Sequence, residues 1–77
     1  MDRLPLESSV FTSVAYIRSK RILELEFRSG AVYRYFDFSP QQFNEFLAAE
    51  SKGGYFSRHI RDRFRCEQVR RPYNVAS

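Results

Sequence analysis

Seventy-seven residues hold one small domain at most, and 43% hydrophobic with 29% charged residues fits a globular fold rather than a disordered chain. The net charge is +4, no apolar run approaches the ~18 residues of a membrane span, and Met1–Pro5 opens no signal-peptide core, so a cytoplasmic location is expected. Cys66 and His59 are each alone of their type, which excludes an internal disulfide and any Cys/His zinc site within one chain.

Asp2 to Ser9 is polar and contains Pro5, so it reads as an irregular arm. From Val10 to Arg18 apolar residues alternate loosely, and Ser19-Lys20 makes a polar break. Leu23-Glu24-Leu25-Glu26-Phe27 alternates cleanly, with Leu23, Leu25 and Phe27 on one face of a strand and the glutamates on the other. Ser29-Gly30 is a hairpin signal, because glycine accepts the positive φ of a tight turn. Val32-Tyr33-Arg34-Tyr35-Phe36 follows as a third strand rich in β-branched and aromatic residues.

At Ser39 the period changes. Ser39 is a good N-cap and Pro40 stands at the first helical position, where its missing N–H costs nothing. Phe43, Phe46 and Leu47 recur at helical spacing, which predicts an amphipathic helix of about three turns, ended near Gly53-Gly54. Tyr55 to Arg61 reads as a shorter second helix with Phe56 and Ile60 facing inward, and Phe64 to Val69 is a candidate last strand. The expected fold class is α+β: an antiparallel meander of three strands, with a fourth as candidate, packed against one long and one short helix in the order β-β-β-α-α-(β). Residues 1–8 form the arm, 9–69 the single domain and 70–77 an exposed tail. Eight Phe and five Tyr supply the core of a chain this small, since each buried ring hides on the order of 150–250 Å².

Charge is sorted along the chain. Residues 1–51 balance at −1, whereas residues 52–77 carry seven Lys/Arg against two Asp/Glu, and six of those seven cations are arginine. The arginine fork suits phosphate and carboxylate, so this third points to an anionic partner. Lys52, Arg58, Arg61 and Arg63 lead the candidate contacts, and five neutralised phosphates on a single strand would give a salt slope of about −3.5. The competing account is a solvated surface balanced by Asp62, Glu67 and the acidic first two-thirds.

Tyr33 and Tyr35 share one strand face while Arg34 points oppositely. On an open face the two rings would form a stacking platform for unpaired bases, with Tyr55 as a further ring and Arg34 as a further cation. Alternatively the tyrosines pack under the helix. Either Tyr33 and Tyr35 or Val32 and Phe36 face it, and the latter pair is the more apolar. His59 has no titrating partner singled out by spacing, although Glu50 and Asp62 are available, and it reads as an exposed structural histidine. The glycines at 30, 53 and 54 fit no phosphate-binding loop. No catalytic residue, cofactor site or metal site is indicated.

With these residues in order, the chain resembles the KTSC domain, a short module found at the C-terminus of some lysyl-tRNA synthetases and alone in small bacterial and phage proteins. The matching residues run from about Ser9 to Val69: Val14 and Tyr16, Leu23 to Phe27, Gly30 to Phe36 with its Tyr-x-Tyr, Phe46-Leu47, Ser51-Lys52-Gly53, Tyr55-Phe56 and Ile60-Arg61. The chain departs from the family pattern at Ala15-Tyr16-Ile17, Phe38-Ser39 and Ser57. The resemblance implies no aminoacylation, and its synthetase context implies RNA binding by analogy. The resulting expectation is a non-enzymatic RNA-binding module, its target tRNA or a single-stranded RNA, acting through Tyr33, Arg34, Tyr35, Lys52, Tyr55, Arg58, Arg61 and Arg63. The alternatives are a module binding an acidic protein or itself, and, more remotely, a metal-independent ribonuclease using His59 and Tyr35.

Overall fold

The computed structural model describes residues 3–72. Five antiparallel strands lie in sequence order: β1 (Arg3–Pro5), β2 (Phe11–Ile17), β3 (Ile22–Phe27), β4 (Val32–Tyr35) and β5 (Cys66–Arg70). Between β4 and β5 the chain forms α1 (Pro40–Ala48) and α2 (Lys52–Tyr55), the latter running on into a π-helical turn, Phe56–Ile60. The fold is α+β, a sheet covered on one face by the helical segment. The sheet is larger than the three or four strands expected. β5 lies two residues later than the Phe64 start predicted for it, and β1 falls in the arm read as irregular. Neither edge strand carries an apolar alternation. β1 is held from a distance, where Arg3 pairs with Glu24 and its Nε donates to Ser13 Oγ at 3.0 Å, and an edge strand tolerates Pro5. All five residues of β5 are exposed. Arg70, assigned to the tail, ends β5 and donates from Nε to the Gly30 carbonyl at 2.9 Å. The expected tail from Tyr73 onward lies outside the described residues.

The hairpin at Gly30 forms as expected, with φ at 96° and the Phe27 amide donating to Ala31 O at 2.8 Å. It sets the register of β3 on β4: Leu25 faces Tyr33, Leu23 faces Tyr35, and Glu24 faces Arg34. Residues directly opposite in an antiparallel pair share a face, so the tyrosines lie with the leucines under the helices. The more apolar pair is therefore the one turned outward. Val32 lies opposite Glu26, and Phe36 is half-buried beneath the Arg65 guanidinium.

α1 starts as predicted, with the Gln42 amide donating to Ser39 Oγ at 3.1 Å and Pro40 in the first turn. It ends earlier, at Ala48, because Ala49 is extended and Ser51 opens a new helix by accepting from the Gly54 amide at 3.0 Å. Gly53 and Gly54 thus lie inside α2 instead of ending α1. A Cβ on Gly53 would stand 2.8 Å from Val10 Cγ2, so only glycine lets α2 approach the entry to β2 this closely. Phe11, Leu23, Leu25, Phe38, Phe46 and Ile60 are fully buried between sheet and helices. Phe43 stacks on Tyr16 at 4.7 Å. No helix among the described residues is long and apolar enough to cross a membrane.

Candidate functional site

An open groove of about 970 Å³ lies beside the helical layer on the covered side of the sheet. The strands supply Phe27, Tyr33, Tyr35 and Cys66. The segment entering β2 supplies Glu7 to Val10, and the start of α2 supplies Ser51 to Gly54. Phe56, Ser57, Arg61 and Asp62 close the remaining side. The π-helical turn positions the last two: the Arg61 amide donates to Phe56 O at 2.8 Å, the wider i→i+5 spacing that marks such turns.

The aromatic wall is held by ring contacts. Tyr33 and Tyr35 stack with centroids 6.4 Å apart at 28°, and Phe56 meets Tyr35 edge-on at 5.8 Å and Phe27 at 5.7 Å. The Tyr33 hydroxyl accepts from Gln68 Nε2 at 3.2 Å, while Tyr35 is only 5% exposed. Burial pushes the Tyr35 hydroxyl well above its ordinary range, and the Arg61 cation opposes that rise only in part. The groove also carries Glu7, Glu50 and Asp62, so its charge is mixed.

Four of the eight residues expected to bind an anion or a base meet in this groove: Tyr33, Tyr35, Lys52 and Arg61. Lys52 is partly engaged, donating from Nζ to Ala49 O at 2.8 Å. Arg58 borders the groove at Gly54, where a Cβ would stand 3.3 Å from its Nη1. Arg63 is exposed in the turn that follows and does not line the groove. Arg34 lies on the opposite face, its Nε 2.8 Å from Glu24 Oε2, and does not join the site. Tyr55 is a core residue and offers no free ring surface. It is 8% exposed, packs edge-on against Phe46 at 6.0 Å and donates to Glu45 Oε1 at 2.9 Å; burial and that bond push its hydroxyl up to about 12. The open stacking platform is likewise replaced, since Phe56 covers Tyr35 from the helical side. His59 leans on the Tyr55 ring at 4.6 Å and does not line the groove that holds Tyr35.

Phe27, Phe56, Gly53, Gly54 and Cys66 are site residues that the charge and stacking arguments passed over. Their signal lay in the short motifs: Tyr33-x-Tyr35, Lys52-Gly53 and Tyr55-Phe56, separated in sequence, bring at least one residue each to the same cavity.

The geometry defines a small two-layer α+β domain with an aromatic groove bordered by cations. The KTSC domain model matches residues 7–64, and the chain belongs to that family, a domain of uncharacterised function. A protein of Tsukamurella paurometabola is 39% identical over 61 residues, spanning 79% of this chain and 91% of its own. The lysine–tRNA ligase of Nostoc punctiforme is 36% identical over 63 residues, which cover 82% of this chain but 11% of the ligase. The crystal structure of a KTSC domain protein from Yersinia pestis superposes with a TM-score of 0.87 at 32% identity, covering 90% of this chain and 97% of that one.

Proposed function

We propose that the groove binds unpaired nucleotides of RNA without catalysing a reaction. The observation that carries this reading is the convergence of Tyr33, Tyr35, Lys52 and Arg61 on one open cavity, with Arg58 at its border. Rings at a groove wall accept a base face, and neighbouring cations take the phosphates that flank it. The similarity to a lysine–tRNA ligase supports an RNA target by analogy alone.

The arrangement also lowers the expected electrostatic contribution. Arg34 is committed to Glu24 and Arg63 lies off the groove, which leaves Lys52, Arg58 and Arg61. Three phosphates on a single strand give a salt slope of about −2, hence an affinity loss of about fifteenfold between ~50 and ~200 mM salt. Fluorescence anisotropy with a labelled single-stranded RNA measures it. Arg61→Ala is expected to cut affinity about fivefold and to make the slope shallower by about 0.7. Absence of binding at the lower salt overturns the reading and leaves the arginines to an acidic protein surface.

A further inference from the structure

Four tyrosines lie among the described residues, and three have hydroxyl partners within the protein: Tyr16 donates to the Phe38 carbonyl, Tyr55 donates to Glu45, and Tyr33 accepts from Gln68. The most buried of the four, Tyr35, has none among the described residues, although a buried hydroxyl without a partner is costly. Its oxygen is not sealed in the core, because no fully enclosed side-chain polar atom lacks a partner among the described residues. Tyr35 lines the groove together with Arg61 and Cys66, and the Arg61 charge lies close enough to act on the Tyr35 hydroxyl.

We propose that the groove is a single-nucleotide site, in which the Tyr35 hydroxyl and the Arg61 guanidinium hold one phosphate while the base lies against Tyr33. This rests on the nucleic-acid reading and narrows it to one nucleotide unit. The acids support the narrowing: Glu7, Glu50 and Asp62 line the same cavity and disfavour a second phosphate beside the one at Arg61, so the flanking phosphates of a strand fall to Lys52 and Arg58 on the α2 side. A tyrosine hydroxyl is protonated at neutral pH and burial raises the Tyr35 hydroxyl further, so it donates to the anion.

The test is calorimetric titration of the full chain and of Tyr35→Phe with adenosine monophosphate, adenosine and a short single-stranded RNA. Tyr35→Phe removes one oxygen and keeps the ring, and an unchanged melting temperature confirms its fold. The phosphate-bearing ligand is expected to bind at least about tenfold more tightly than adenosine, and Tyr35→Phe to weaken it about tenfold. RNA is expected to weaken by the same factor with its salt slope intact, because no charge is lost. If monophosphate binds in a Tyr35-dependent way and RNA does not bind, the site takes a free nucleotide; the inference stands and the RNA reading falls. Equal binding of monophosphate by both proteins overturns the inference, and RNA binding by the wild type would still leave the groove reading in place. Adenosine binding as tightly as its monophosphate also overturns it, and a wild type that binds neither monophosphate nor RNA overturns both.

Discussion

The two faces of the sheet present arginine in different states. On the outer face Arg3 and Arg34 share the Glu24 carboxylate, and Arg70 Nη2 lies 2.6 Å from Glu26 Oε2, which also accepts from Ser13 through its other oxygen. Burial pushes the Glu24 carboxyl up, but hydrogen bonds from Arg34 and Arg3 and their charges outweigh it, and its pKa ends below the usual value. At the groove, Arg61 makes no ion pair among the described residues, although Asp62 follows it in the chain. A cation already matched by a half-hidden acid must give up that contact to take a phosphate. An unmatched cation beside a cavity need not. Arginine count is therefore a poor guide to this site, and arginine pairing a better one.

The comparison breaks on both sides at once with Phe56→Ala, the largest effect expected. That ring touches Phe11, Phe27 and Tyr35, so its loss should cost about 3 kcal/mol and collapse the groove wall, seen as a lower denaturation midpoint together with lost RNA binding. Glu24→Ala separates the faces. It leaves Arg3 and Arg34 side by side without their acid and should cost about 2 kcal/mol, with RNA affinity unchanged in anisotropy. Gly53→Ala acts at the groove mouth: its Cβ must push Val10 aside, for a cost of about 1 kcal/mol and a weaker, not abolished, RNA complex.

The smallest effect is a pH dependence confined to the outer face. The Ser13 hydroxyl, then Thr12, lower the Glu26 carboxyl to about 2 against its burial, with Arg70 adding to them. A carboxyl depressed in the folded state contributes stability above its unfolded pKa of 4.5, and that contribution is lost as the pH falls toward 2; Glu24 acts in the same direction. Thermal melts between about pH 5 and 2 should decline for the wild type, and Glu26→Gln should flatten that decline while groove affinity at neutral pH stays the same.

Local signals identified the elements whose causes are local. Ser39-Pro40 opened α1 where expected, Gly30 made the hairpin, and the Leu23–Phe27 alternation named the buried face of β3. The face of β4 was also within reach, because a strand opposite Leu23 and Leu25 across a tight turn must share their side. The apolar weight of Val32 and Phe36 pointed the other way, and register prevailed over residue type. The second helical stretch starts three residues before the expected Tyr55, for a local reason of a different kind: Ser51 caps it, and the glycines that follow belong to the helix although they resemble a stop. β1 could not be read along the chain, since Arg3 meets Glu24 from 21 residues away through sheet pairing, whereas the Glu24–Arg34 pair follows from the same hairpin register that places Tyr33 and Tyr35.

By itself the sequence determined the α+β class, the central hairpin, the capped first helix and the family, because these follow from periodicity, turn chemistry and ordered short motifs. The tertiary structure alone decided that Arg61 makes no ion pair and the Tyr35 hydroxyl has no partner among the described residues, and that Lys52, Arg61 and the Tyr-x-Tyr strand share one groove. Those are distances between residues on different elements, set by the register of the sheet and by how closely α2 approaches it over Gly53.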